Sequence, residues 1–531
     1  MKKNKTICVA FGLLLSLPST LFSQTIPFGA PINGASTNES NPSLNGNGRT
    51  IVFESSYDAT DKPILAISYQ KGGTWSKPVE LKGATNTIPT LTNNGGFFLN
   101  NNADLLLFHS KIHGGVGDMD IWIMEKTSTG AWSAPVNLGA PINSTAPDTD
   151  PSVSPDGKYL FFTRLSTEKT PNGNACGKLY IAESSGKNNW KNPVAMPAPI
   201  NMGCECAGRM LADNKTFLFA SMRKGGLGGY DIYKTVQKSD GSWETPVPFT
   251  FINTAKDDKY ISVPAVGSLA YTTGIDKAGG FDIVKSRVPD ELQPNKITLI
   301  QGTVKDAATK LILLPKIIVT NTTTNKSTTY IGGQDGSYTA SIPQDNAIYD
   351  VAIIAYDNAE YIFNSMLFFP LETPKFEEKT VNIALSSKKA SKAYPLNNIA
   401  FINNSDTIQP YSSPELARLF VLLKANAAMK IEIGVHTNDV QTDSIFRPEL
   451  TATIIDSLEY ADSTGQKFYS LKTTYSSDNT ARQAKMIVNA LVKKGIPANR
   501  IIAKGYGNSQ PLTPPPADAI LNKRVEFKIV Q

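Results

Sequence analysis

The sequence predicts a multidomain protein: an all-β propeller of about five blades, an all-β sandwich, and an α+β C-terminal domain. Three observations carry this. A tryptophan followed by Pro-Val recurs at Trp75-Pro78-Val79, Trp132-Pro135-Val136, Trp190-Pro193-Val194 and Trp243-Pro246-Val247, at intervals of 57, 58 and 53 residues. From about residue 297 the repeat stops while a Thr/Val/Ile/Tyr-rich composition continues, and beyond about residue 390 the apolar period changes from two to roughly 3.6. With 531 residues the chain exceeds what one core supports, and roughly 100 to 200 residues per domain leads to three or four domains.

The first element is a leader over residues 1–23. Lys2, Lys3 and Lys5 precede the apolar run 9–17, and Ser19, Thr20 and Ser23 follow, the layout of a secretory signal peptide. The run is too short to span a bilayer and nothing later approaches ~20 consecutive apolar residues, so no transmembrane helix is expected. Without the three leader lysines the formal net charge of +6 drops by three, too balanced to argue for nucleic acid. Cys8 lies inside the leader and lacks the arrangement that lipid attachment needs. In an exported protein Cys176 can pair with Cys204 or Cys206 across neighbouring repeats, or all three can be small buried residues. A Cys-x-Cys with only His109, His113 and His436 in the chain makes no metal set, and no cofactor is expected.

Residues 24–290 hold the repeats. Asp156-Gly157, between the apolar segments of 150–162, is a strong hairpin signal, with weaker copies at 41–53, 93–108, 209–219 and 262–271. Glycine-rich loops then lead into apolar strands at Gly114-Gly115-Val116-Gly117-Asp118-Met119-Asp120-Ile121, at Gly225-Gly226-Leu227-Gly228-Gly229-Tyr230-Asp231-Ile232 and at Gly279-Gly280-Phe281-Asp282-Ile283. No helix with a Lys-Ser/Thr pair follows them, so they read as tight inter-strand turns and not as phosphate cradles. Hairpin, glycine loop, Asp-Ile strand and Trp-x-x-Pro-Val make about four strands per ~55 residues, one propeller blade. The tryptophans read as fillers of the wedge between blades; the other reading is an exposed glycan-stacking platform. These residues resemble the TolB-like, WD-repeat-like propellers of periplasmic proteins.

Residues 297–386, with Gly302-Thr303-Val304 at the start and Asp335-Gly336-Ser337-Tyr338 at a turn, predict a sandwich of seven-strand type. The segment is similar to the carboxypeptidase regulatory-like domain, and that resemblance implies a non-catalytic spacer.

In residues 390–531, Ser413, Pro414 and Glu415 start a helix with Leu416, Leu419, Phe420 and Leu423 on one face. A strand over 430–436 follows, then a helix with Ala484, Ile487, Val488, Leu491 and Val492 on one face that closes at Lys493-Lys494-Gly495, then strands over 500–506 and 525–530. The order is β-α-β-α-β-β. His436-Thr437-Asn438-Asp439, Lys494-Gly495-Ile496-Pro497, Gly505-Tyr506-Gly507-Asn508-Ser509-Gln510-Pro511 and Asn522-Lys523-Arg524-Val525-Glu526-Phe527 together resemble the OmpA-like peptidoglycan-binding family. The resemblance implies a grip on the diaminopimelate of the cell-wall stem peptide through an Asp after His-Thr and an Arg early in the second helix. An amino-acid head group needs an acceptor for its ammonium and a planar donor pair for its carboxylate. In this chain the Asp position falls on Asn438 with Asp439 next, and the Arg position on Gln483 with Arg482 one residue earlier. An insertion, 440–477, separates the two halves. The candidate peptidoglycan-binding residues are Thr437, Asn438, Asp439, Arg482, Gln483 and Arg524.

The order of the three parts resembles the cell-wall-tethering proteins of Bacteroidetes envelopes, including those of type IX secretion. That implies a periplasmic protein, associated with the outer membrane, that ties a partner complex to peptidoglycan and uses the propeller to dock envelope proteins. The alternative is an exported glycan-binding or hydrolytic protein localised by its C-terminal domain. A hydrolase needs a catalytic set, and the sequence contains no Gly-x-Ser-x-Gly, no His-Glu-x-x-His and no Cys/His pair. His436 belongs to the C-terminal motif, and His109 and His113 flank a blade turn, so no enzymatic activity is expected.

Overall fold

A computed structural model describes residues 25–530 apart from 57–63, 83–95, 112–113, 266–267, 276–279, 403–404, 438–441, 444–450, 462–463, 477 and 513–518, and describes only the backbone of 442–443, 451–458, 460, 468–476 and 519–520. The leader lies outside the described residues. The chain is mostly β, with its two long helices, α1 (Ser413–Ala425) and α2 (Thr480–Lys493), near the C-terminus.

Among the described residues, five antiparallel sheets lie within 26–287. The first is built on Glu39–Leu44, Thr50–Ser55 and Ile64–Lys71, the second on Phe97–Leu99, Leu105–Ser110 and Asp120–Glu125, and the third on Asp148–Val153, Tyr159–Lys169 and Ala175–Gly186. The fourth holds Glu205–Met210, Thr216–Ser221 and Asp231–Val236. The fifth joins Leu269–Ile275 and Phe281–Arg287 to the N-terminal strand Ile26–Pro27. In the first four, a short outer strand starts at the Pro-Val pair: Val79–Glu80, Val136–Asn137, Val194–Ala195 and Val247–Pro248.

Each consecutive pair of sheets shares an apolar cluster, and the fifth shares one with the first. Because side chains alternate along a strand, Phe162 enters the cluster with the second sheet while Phe161 enters the one with the fourth. This is why the middle strands read as continuous apolar runs: both faces are buried. The four tryptophans lie in the same seams. Trp132 and Trp243 are buried members, against the first and third sheets respectively, and Trp75 and Trp190 pack on the seams with the fifth and second.

The glycine loops wrap a buried carboxylate. Asp120 accepts from Val116 N at 2.5 Å and Gly117 N at 3.0 Å, and Asp231 accepts from Leu227 N and Gly228 N at 2.8 and 3.2 Å. A Cβ on Gly117 would sit 2.4 Å from Ser144 O, and one on Gly228 2.2 Å from Lys256 O, so these positions exclude larger residues. A second repeated device is an asparagine amide that bonds both backbone groups of one strand residue. Asn33 pairs with Ile283, Asn143 with Ile121, Asn201 with Leu179 and Asn253 with Ile232. Cys176, in the third sheet, is disulfide-bonded to Cys204 at the edge of the fourth, and Cys206 is free and buried.

The next segment is two facing sheets. Ile297–Asp306 lies between antiparallel Ser337–Pro343 and the parallel strands Glu377–Thr380 and Ile383–Leu385; the other sheet runs Ser327–Ile331, Pro315–Asn321, Tyr349–Ala355, Asn364–Phe368. The two parallel strands share one lane, so the sandwich has seven lanes around one apolar cluster. It meets the N-terminal sheets through Arg49–Glu378 (2.5 Å), Asn47–Gln301 (2.8 Å) and Asn214–Tyr330 (3.0 Å).

In the C-terminal segment the sheet order is Ala393–Pro395, Arg524–Ile529, Ile431–His436, Ile501–Gly507, the last two parallel, with α1 and α2 contributing to one core. Outside the 440–477 insertion and the short helix Ala519–Asn522, the order is β-α-β-α-β-β. The 440–477 insertion carries a hairpin, Thr451–Ala461 with Lys467–Ser476. Arg418 of α1 grips Asp350 of the sandwich with both guanidinium arms at 2.5 and 2.8 Å and also meets Glu415 at 2.5 Å. Asn398 and Ser365 complete this buried cluster.

Candidate functional site

Where the strand Ile431–His436 ends beside the start of α2, a cavity of about 330 Å³ opens. Its position follows from two local features. Asp478 accepts from Thr480 N at 2.9 Å and from Thr480 Oγ1 at 2.6 Å, which fixes the first turn of α2. Gly505 lets that turn lie directly on the neighbouring strand, since a Cβ there would sit 2.3 Å from Ala481 N.

Of the candidate residues, Thr437, Gln483 and Arg524 line the cavity. Thr437 is half-buried and its N–H donates to Gly507 O at 2.9 Å. Gln483 is buried, and its Nε2 donates to Ser405 O at 2.7 Å. Arg524 donates through Nε to Glu526 at 2.9 Å and through one Nη to Gln510 O at 3.3 Å. Arg482 is exposed, donates to Asn479 Oδ1 at 2.5 Å and is not among the lining residues. One helical residue turns a side chain by about 100°, and that step separates Arg482 from the wall that Gln483 occupies. Asn438 and Asp439 lie outside the described residues.

The cavity has further walls that the motifs did not mark. Asn479, Thr480, Lys523 and the loop residues Asn397, Ile399 and Phe401 line it, and Ser405, which orients Gln483, is 78 residues away in sequence. His436 also borders it. Its ring is buried and stacked on Tyr506, with centroids 4.6 Å apart and planes 5° from parallel. His436 Nε2 lies 3.3 Å from Glu526 Oε1 without hydrogen-bond alignment, and neither ring nitrogen has a hydrogen-bond partner. Burial raises the Glu526 carboxyl, but His436 and Arg524 outweigh it and hold the group below its ordinary value, so it is ionised at neutral pH. The described lining residues thus offer cationic and neutral polar groups and no carboxylate.

Residues 400–520 match the OmpA family. That covers less than a quarter of the chain, and the cavity lies largely within this OmpA-family segment. Among solved structures, the chain is similar to a putative MotB-like protein from Desulfovibrio vulgaris (22% identity, TM-score 0.17, covering 26% of this chain and 72% of that one). It is also similar to an α-L-arabinofuranosidase from Podospora anserina (13% identity, TM-score 0.32, 49% of this chain and 94% of that one). No curated protein matches the chain.

A second cavity, of about 700 Å³, is lined by residues of all five N-terminal sheets. His109 stands on its wall, buried near the end of Leu105–Ser110 beside the turn that leads to Asp120–Glu125; His113 lies outside the described residues. His109 Nδ1 accepts from Asp150 N at 3.1 Å, so the ring is neutral there, and burial lowers its pKa while nearby Asp150 opposes the shift. Asp150 accepts from Tyr260 OH and Thr149 Oγ1, and Glu54 from Ser40 and Asn41. Beneath them Arg209 is buried, with burial lowering its pKa to about 10. Among the described residues no group of His, Cys, Asp and Glu could hold a metal ion, and no helix is long and apolar enough to cross a membrane.

Proposed function

We propose that this protein is a non-enzymatic tether: the OmpA-family segment binds the peptidoglycan stem peptide, and the five N-terminal sheets form a five-bladed propeller that docks an envelope partner. The observation that carries this is the cavity at the end of Ile431–His436, largely within the segment that matches the OmpA family, with Thr437 and Gln483 from that segment and Arg524 just beyond it on its wall. The carboxylate of a stem peptide finds in Arg524 a planar donor held in place by Glu526. The closed succession of seams supports the propeller, and the domain limits are 24–290, 297–386 and 390–531. Such a protein works in the periplasm, associated with the outer membrane, behind a cleaved leader of residues 1–23. Cosedimentation of the full exported chain with purified cell-wall sacculi tests the tether: the protein pellets with them, and a protein that stays in the supernatant refutes it.

The alternative is a glycan-binding or hydrolytic protein, and it draws on the larger cavity with Glu54, Asp150, Asp257 and Asp258 on its wall. All four spend oxygens on protein donors, as structural carboxylates do. Turnover of a muropeptide or oligosaccharide library by the pure protein favours this alternative.

A further inference from the structure

Gln483 is held at one end only. Its Nε2 donates to Ser405 O, and because a carbonyl can only accept, that bond decides which end of the amide is which. Oε1 then has no hydrogen-bond partner among the described residues, although the side chain is 8% exposed and lines the 330 Å³ cavity. That oxygen is not closed off from solvent, so a ligand donor entering the cavity can reach it. Arg524 stands on the same cavity wall; its Nε and one Nη are engaged, and its second Nη makes no hydrogen bond with the described residues.

We infer that Gln483 is a specificity-determining residue that reads an N–H donor of the ligand, so that an amino-acid head group binds with its ammonium at Gln483 Oε1 and its carboxylate at Arg524. This rests on the peptidoglycan reading above and deepens it. A guanidinium at this point of α2 offers only donors and selects a carboxylate; the amide, pinned by Ser405, offers an acceptor and selects the opposite group. The hydrogen-bonding polarity of the helix wall is thereby reversed, and the cationic end of the cavity moves to Arg524 and Lys523 at the start of the last strand.

Calorimetric titration of the full exported chain with the soluble muramyl tripeptide ending in diaminopimelate tests the inference. Acetylating the side-chain amine of the diaminopimelate weakens binding to the unaltered protein about tenfold or more, a change on the scale of one buried hydrogen bond to a charged group. Gln483→Arg weakens binding of the free tripeptide. Arg524→Gln weakens binding of both the free and the acetylated ligand. Tighter binding by Gln483→Arg, or indifference to acetylation, overturns the inference while leaving the tether intact. Failure of the unaltered protein to bind both the tripeptide and sacculi overturns the tether, and this inference with it. The acetylation arm needs no variant, so a substitution that fails to fold does not decide the outcome.

Discussion

Asn33, Asn143, Asn201 and Asn253 each give an amide oxygen and an amide nitrogen to the two backbone groups of one strand residue. Asn143→Ala leaves Ile121 N and O without these partners in a buried place, and the expected loss is about 2–4 kcal/mol in urea unfolding. The signal for three of them stands in the sequence, as Ala-Pro-Ile-Asn at 30–33, 140–143 and 198–201. Its meaning is not local, since nothing in an Ile-Asn pair tells a strand-clamping amide from a loop residue until the partner strand is known. The same holds for Gln483, whose departure from arginine is legible but whose orientation depends on Ser405. His109 is a third case, and it carries a pH dependence. Its folded-state pKa lies below the ordinary 6.5, so as pH falls through that value the unfolded chain takes up a proton that the folded chain refuses. Stability therefore declines from about pH 6.5 downward. His109→Gln should flatten the slope of melting temperature between pH 7 and pH 5.5, and an unchanged slope assigns it to other groups.

At the scale of elements, the seams between sheets hold most of the large side chains. Trp243 is 7% exposed and packs with Phe217, 5.5 Å between ring centroids. Trp243→Ala is expected to cost about 3–5 kcal/mol by opening a cavity between the third and fourth sheets. Across the same seam the Cys176–Cys204 bond closes a 28-residue separation. By chain entropy its removal as Cys176→Ser costs about 3–4 kcal/mol, measurable as a lower denaturation midpoint in the absence of reductant. The period of the tryptophans and the glycine loops was readable because each repeat needs the same filler and the same turn. The choice between Cys204 and Cys206 was not, because both stand within one strand's reach of the neighbouring sheet and only three-dimensional placement separates them. The insertion at 440–477 could be recognised as an interruption, whereas its hairpin, Thr451–Ala461 with Lys467–Ser476, is set by pairing across a turn that no interruption reveals.

At the scale of the whole molecule, the seven-lane sandwich meets the C-terminal segment through charge. Asp350 is fully buried beneath the Arg418 guanidinium, and Glu415 stands alongside, its pKa raised by burial against the pull of Arg418. Asp350→Ala leaves a buried guanidinium short of its bidentate partner, and about 3–5 kcal/mol of destabilisation follows. Calorimetry of the full chain is expected to resolve the C-terminal transition from the rest in that variant, and a single unshifted transition speaks against the coupling. Glu415 is marked in the sequence only as part of a helix start, and Asp350 and Arg418 carry no mark, because an interface between two segments has no period of its own. The pairing of Ile26–Pro27 with Phe281–Arg287 has a temporal consequence. A chain delivered N-terminus first presents its closing strand long before the partner exists, and the clamp from Asn33 to Ile283 spans 250 residues. Until that stretch has emerged, the first and fifth sheets have an open hem that neither end can mend, and any escort acting on the nascent chain meets it in that unsealed state.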